Sequence, residues 1–161
     1  VMESSAVAEV VELASPAQHI TIADHHMPLP GPVLSPDHDF NGQRFVFNVA
    51  SRTPWTPWRV AGFEARDTGI AQATGGLGAV RVLRPVPGQK APTQMHDTEL
   101  CFYFVLQGRL TLTVGGHSHV LAADDCVTLP GGLRYGMSAS EDAQLLEIML
   151  PADAPGLQLG D

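Results

Sequence analysis

Five side chains in the second half of the chain carry the chemistry that can be read directly: Gln94, His96, Cys101, Tyr103 and Tyr135. They comprise an amide, an imidazole, a thiol and two phenols. His96 is the only strong metal ligand and the only ordinary general base among them, because imidazole titrates near neutrality. Gln94 offers a neutral amide oxygen, and a tyrosine must lose a proton of pKa about 10 before it binds a metal well. Cys101 as a thiolate would favour borderline or soft ions such as zinc. A catalytic metal site generally has about three protein ligands and one open position. One strong and several indifferent donors therefore predict a weak, adventitious or absent metal.

Positioning these groups falls to short strands. Residues 78–84, 100–106, 109–114, 120–121, 126–129, 135–137 and 143–150 are runs rich in β-branched and aromatic residues, bounded by Gly, Pro and Asp. Many short strands at regular spacing with turn signals indicate an all-β sandwich or barrel. Val114–Gly115–Gly116–His117 reads as a hairpin whose glycines tolerate left-handed backbone. Side chains alternate faces along a strand, so Gln94 and His96 share a face and Met95 points away. The same parity groups Cys101 with Tyr103 and Val105, and turns Arg134 away from Tyr135.

The glycines and prolines around these residues make a recognisable frame: Gly88, Gln94, His96, Cys101 and Gly108, then Asp125, Pro130, Gly132 and Tyr135. Both stretches resemble the two signature motifs of the cupin superfamily. The first motif there runs Gly, five residues, His, one residue, His, three or four residues, Glu, six residues, Gly. The second runs Gly, five residues, Pro, one residue, Gly, two residues, His. Gln94 stands at the first His position, Cys101 at the Glu and Tyr135 at the last His. The resemblance covers about 80 to 150. It implies a cupin-type double-stranded β-helix, usually dimeric, with the five side chains facing the barrel interior.

Composition fits one compact domain. The 161 residues are 44% hydrophobic and 16% charged, enough to fill a single core without disulfides. Seventeen acids against nine Lys and Arg give a net charge of −8, and the arginines are scattered. Without a basic stripe to neutralise phosphates, nucleic acid is not an expected partner. No apolar run reaches the roughly 18–20 residues of a bilayer span. Acids rather than Lys or Arg occupy the first residues, against a signal peptide. Two cysteines, both inside predicted strands, read as buried reduced thiols. Together these point to the cytoplasm.

The organisation expected is an N-terminal extended arm (1–43), preceding strands and turns (44–76), the barrel core (77–151) and a tail (152–161). The arm holds a strand candidate at 19–22 and a Pro/His/Asp-rich stretch over 24–39; His25 and His26, adjacent on the chain, point apart and do not chelate. Residues 44–49 and 60–65 read as strands, and Trp55, Trp58 and Phe63 as packing residues or part of a dimer face. The glycine cluster 74–78 lacks the lysine and helix of a phosphate loop and is read as a turn. His117 and His119 follow a hairpin tip and read as solvated. Glu99 is close enough in sequence to substitute as a ligand. Glu147, the one charge in residues 145–150, is expected to face solvent, with an interior pairing to an arginine as the alternative.

The functional expectation is a barrel that binds a small organic molecule, with Gln94, His96, Cys101, Tyr103 and Tyr135 as contacts and a homodimer as the assembly. Two alternatives stand beside it. One is a metal-dependent enzyme of the dioxygenase, isomerase or lyase kind, as the resemblance implies, holding a divalent ion (Zn, Fe, Ni or Mn) on His96, Gln94 and Tyr135. The other is a metal-free acid–base catalyst with His96 as base and Tyr135 as acid.

Overall fold

The computed structural model describes residues 7–15, 18, 37–152 and 157–158. The chain divides into two units, Val1–Leu34 and Ser35–Asp161. The described residues of the first unit contain no helix or strand. The strand candidate at 19–22, His25 and His26 lie outside the described residues.

In the second unit the strands are β1 (Thr56–Pro57), β2 (Phe63–Asp67), β3 (Ala79–Pro85), β4 (Gln94–Met95), β5 (Leu100–Gln107), β6 (Arg109–Val114), β7 (His117–Ala122), β8 (Cys126–Leu129), β9 (Tyr135–Ala139), β10 (Gln144–Leu150) and β11 (Leu157–Gln158). A short helix, α1 (Ile70–Ala73), separates β2 from β3. The glycine cluster 74–78 follows it as turns. All pairings are antiparallel, in two sheets ordered β1-β2-β3-β10-β5-β8 and β11-β4-β9-β6-β7. The all-β expectation holds.

Inner-face residues of the larger sheet line up in rows across its strands. Ala65, Leu83, Leu145 and Val105 form an apolar row, each of them buried. The next row runs Asp67, Arg81, Glu147, Tyr103 and Val127. A third comprises Ala79, Met149, Cys101 and Leu129, all buried. The facing sheet contributes Gln94, Tyr135 and Val114 in one row and Met137, Leu112 and His119 in another. Burial of the Leu, Val and Met side chains across these rows supplies the driving force of the fold, at roughly 1.5–3 kcal/mol per fully buried side chain.

Glycines make two of the turns. Gly115 and Gly116 both have positive φ, 56° and 82°, as the two-residue β6–β7 hairpin requires. Gly108, at φ 73°, joins β5 to β6 where an added Cβ would stand 2.6 Å from Ser140 Oγ and 2.8 Å from Ala143 Cα. Any larger residue there collides with the turn before β10.

Three sequence expectations are corrected. Residues 44–49 are not a strand: Arg44 makes only an isolated bridge to Asp39. Their β-branched and aromatic residues had no neighbouring strand among the described residues with which to build a ladder. The strand expected at 60–65 begins at Phe63, because Trp58–Gly62 forms the preceding turn. Cys126 is exposed rather than buried, since β8 is a sheet edge and the face carrying Cys126 and Thr128 looks outward; Cys101 is buried.

Candidate functional site

His96 follows β4 directly and is locked between the two motif loops. Its carbonyl accepts the Gly132 N–H at 2.8 Å, and Gly132 has φ 79°. A Cβ on Gly131 would stand only 3.2 Å from the Thr98 carbonyl oxygen. The Pro130–Gly131–Gly132 turn is thus small because it packs on the backbone of residues 96–98. The imidazole is buried, and its Nδ1 meets the buried Thr98 hydroxyl at 2.6 Å. Its Nε2 has no hydrogen-bond partner.

Gln94 and Tyr135 are register partners on β4 and β9, so their side chains stand side by side on the inner face. Both are buried. Neither amide atom of Gln94 nor the Tyr135 hydroxyl has a hydrogen-bond partner. The Tyr135 ring meets the His96 ring edge-on, with centroids 6.1 Å apart and planes at 69°. Cys101 and Tyr103 are fully buried on the facing sheet. The Tyr135 phenol is electrostatically coupled to both, but neither meets its hydroxyl with hydrogen-bonding geometry. All five residues singled out by the sequence therefore lie inside the barrel. Glu99 is exposed and outside this group, and so are His117 and His119.

Below the cluster lies an ionic group that sequence reasoning missed or misplaced. Glu147 is 0% exposed, which corrects the expectation that it faces solvent. Its carboxylate accepts from the Tyr103 hydroxyl at 3.2 Å and from Arg59 Nη2 at 3.1 Å, and lies 3.6 Å from Arg81 Nη1. Arg59 comes from the β1–β2 turn and also reaches the Met149 sulfur at 3.3 Å. Alternation could not settle Glu147, because Leu145 and Met149 on its parity are as apolar as Leu146, Ile148 and Leu150 on the other. Only an unpaired charge in an apolar strand hinted at an interior ion pair. Exposed Arg84, by contrast, is spent on half-buried Glu64 at 2.7 Å. Of the aromatics, Trp58 and Phe63 join the core and stack edge-on, while Trp55 sits beneath the Arg66 and Arg84 guanidinium groups, each 4.3 Å from its ring.

Burial sets the protonation states. Desolvation, reinforced by the Arg59 charge, lowers the His96 pKa and keeps the imidazole neutral. Desolvation and then the Glu147 carboxylate push the Cys101 thiol up to about 11. Tyr135 is raised by burial and then by Cys101, and Tyr103 by burial and then by Glu147. Arg59 is raised: burial opposes its charge, but Glu147, Tyr103 and Tyr135 together more than offset that.

These donors do not fit a divalent metal. Thiol and phenols are held protonated, Gln94 is neutral, and a guanidinium stands in the same electrostatic neighbourhood. His96 Nε2 alone is a good ligand. Among the described residues no group of three or more His, Cys, Asp or Glu converges to hold an ion.

A cavity of about 410 Å³ opens between β7 and β8, lined chiefly by Leu112, Val114, Leu121, Val127, Leu129 and Leu133. It borders the polar cluster through the register, Val114 pairing with Tyr135 and Leu129 with Cys101. His119 and Cys126 stand at its rim. Among the described residues no helix is long and apolar enough to cross a membrane.

Residues 82–149 match the family model described as Cupin domain. None of the curated proteins matches the chain. Among solved structures, the polyketide cyclase RemF from Streptomyces resistomycificus aligns with a TM-score of 0.61 at 14% identity, covering 71% of this chain and 86% of that one. KdgF from Halomonas sp. gives 0.56 at 17% identity, covering 66% and 95%. The Streptomyces protein PAC13, in a structure with uridine, gives 0.54 at 11% identity, covering 69% and 88%. At such identities the likeness is one of fold. Its two-sheet barrel and the family match over β3 to β10 together identify the chain as carrying a cupin domain.

Proposed function

We propose that the barrel interior binds a small organic molecule without the help of a metal. One observation carries this reading: Gln94 Oε1 and Nε2, His96 Nε2 and the Tyr135 hydroxyl are buried with no hydrogen-bond partner. A buried polar group left unpaired costs about 1–3 kcal/mol, so a folded core keeps several together only where something else satisfies them. A ligand with a polar head does so, Gln94 offering one donor and one acceptor to the same molecule. The apolar cavity beside Tyr135 and Cys101 suits the remainder of that molecule, which makes the ligand class a compact apolar or aromatic body bearing hydroxyl, carbonyl or amide groups. The neighbouring fold with uridine offers precedent for small-molecule binding in this architecture, by analogy of fold only. The free buried thiol accords with a reducing, cytoplasmic setting.

Thermal-shift screening against aromatic alcohols, cyclic amides and nucleosides tests the reading, together with native mass spectrometry of the purified protein. Binding that Tyr135→Phe and Gln94→Leu each weaken at least tenfold supports it. No stabilising compound and no co-purifying mass, or binding indifferent to both substitutions, overturns it.

Proton transfer is a second reading, favoured by the protonation states. A neutral His96 can accept a proton, and a protonated Tyr135 can donate one across an edge-on pair. Deuterium exchange into a bound compound, lost in His96→Gln while binding persists, is its signature.

A further inference from the structure

Thr98 lies two residues beyond His96 and is buried. The Pro130–Gly131–Gly132 turn packs on its carbonyl and holds it there. Its hydroxyl stands 2.6 Å from His96 Nδ1, the one hydrogen bond this hydroxyl makes among the described residues. A threonine hydroxyl carries a single proton, and a neutral imidazole carries one proton on either of two nitrogens. With the proton on Nδ1, that nitrogen donates to Thr98 Oγ1, and the Thr98 proton is left in the core without an acceptor. Nε2 is then a second orphan, a bare lone pair. With the proton on Nε2, the Thr98 hydroxyl donates to Nδ1 and one orphan remains instead of two. Buried groups without partners are costly, so the second arrangement wins. The Leu129 carbonyl also favours a proton on the ring, yet it makes no hydrogen bond with Nε2.

We propose that Thr98 is a positioning residue that holds His96 as the Nε2–H tautomer, so that the imidazole offers the ligand a donor and the site selects a carbonyl or carboxylate oxygen. This rests on the binding reading above and names the polar head of the ligand. Three of the cluster's four unpartnered atoms then carry hydrogen: His96 Nε2, Gln94 Nε2 and the Tyr135 oxygen. Only Gln94 Oε1 is an acceptor alone. The opposite tautomer reverses the choice, because a bare Nε2 repels a carbonyl oxygen and calls for an O–H or N–H. The Arg59 charge is felt at both His96 and Tyr135 and adds to the preference for an electron-rich oxygen. A protonated Nε2 takes no proton from a substrate, so this tautomer belongs with binding and not with proton transfer.

Long-range proton–nitrogen NMR of the ligand-free protein carrying isotopically labelled histidine reads the tautomer directly. His96→Gln identifies the His96 signals among the seven histidines. The unmodified protein and Thr98→Ser show Nε2–H alone, and Thr98→Val populates both tautomers. An Nδ1–H signal or a mixture in the unmodified protein overturns the proposal, as does a Thr98→Val variant whose tautomer is unchanged. Should Thr98→Val fail to fold, the unmodified protein's spectrum decides. Calorimetry with acetophenone and 1-phenylethanol reads the selection. The ketone binds at least tenfold tighter than the alcohol, and Thr98→Val shrinks that ratio at least threefold. An alcohol bound as tightly as the ketone overturns the selection. An Nε2–H tautomer with neither probe bound overturns the binding reading and not the role of Thr98.

Discussion

The Tyr103 hydroxyl donates to the Glu147 carboxylate at 3.2 Å, on adjacent strands where the two residues are register partners. The carboxylate is fully buried; Arg59 meets the same oxygen as Tyr103, at 3.1 Å, and Arg81 lies 3.6 Å from the other. Breaking a buried ion pair from one side is severe, because the remaining charge has no water to return to. Arg59→Ala should destabilise the protein by about 3 kcal/mol, the low end of the usual range because Arg81 still faces Glu147. Glu147→Leu together with Arg59→Leu should lose less than Arg59→Ala alone. Urea unfolding of the three proteins checks both expectations.

Tyr135→Phe removes a hydroxyl that has no partner. It should leave stability unchanged or raise it by about 1 kcal/mol, while ligand binding falls. Stability and binding moving in opposite directions is the signature of a group held for a ligand. A core tyrosine that only fills space would lose both or neither. Paired melting and calorimetric binding measurements separate these cases.

His96 adds a pH dependence of definite sign. Its folded pKa is depressed, by burial and then by Arg59, while in the unfolded chain it is near 6.5. Between those values the unfolded state binds more protons, so His96 contributes stability above about pH 6.5 that is lost as the pH falls through its folded pKa. His96→Gln should flatten the stability profile between pH 7 and 5. Chemical unfolding across that range, compared with the unmodified protein, provides the measurement.

The two thiols should differ sharply in reactivity. Cys126 is exposed, whereas Cys101 is buried with its pKa pushed up to about 11. A disulfide reagent at pH 8 should label Cys126 rapidly and reach Cys101 only under denaturant. Mass spectrometry of the labelled peptides reads out each site.

Metal removal should change nothing in the core. With thiol and phenols protonated and a single imidazole nitrogen available, dialysis against a chelator should leave the melting temperature unmoved. Adding zinc should shift it no more in the unmodified protein than in His96→Gln. A large zinc-dependent rise confined to the unmodified protein would contradict the donor argument.

The fold and much of the cluster were legible in the string of residues because both rest on local rules. Strand parity alone grouped Cys101 with Tyr103 and Val105, and the paired glycines 115 and 116 marked their hairpin. Those rules ran out where a decision depended on what lay opposite. Residues 44–49 have strand composition but no ladder partner among the described residues, so they stay irregular. Glu147 sits in a strand apolar on both faces, and parity gave no preference until Arg59, 88 positions away in sequence, came over the barrel to meet it. Thr98 became a partner of His96 only through the turn that follows β4. Alternation is a property of the backbone and is written residue by residue. The pairing of buried charges is decided by desolvation and distance across the assembled sheets, and only the tertiary structure supplies those.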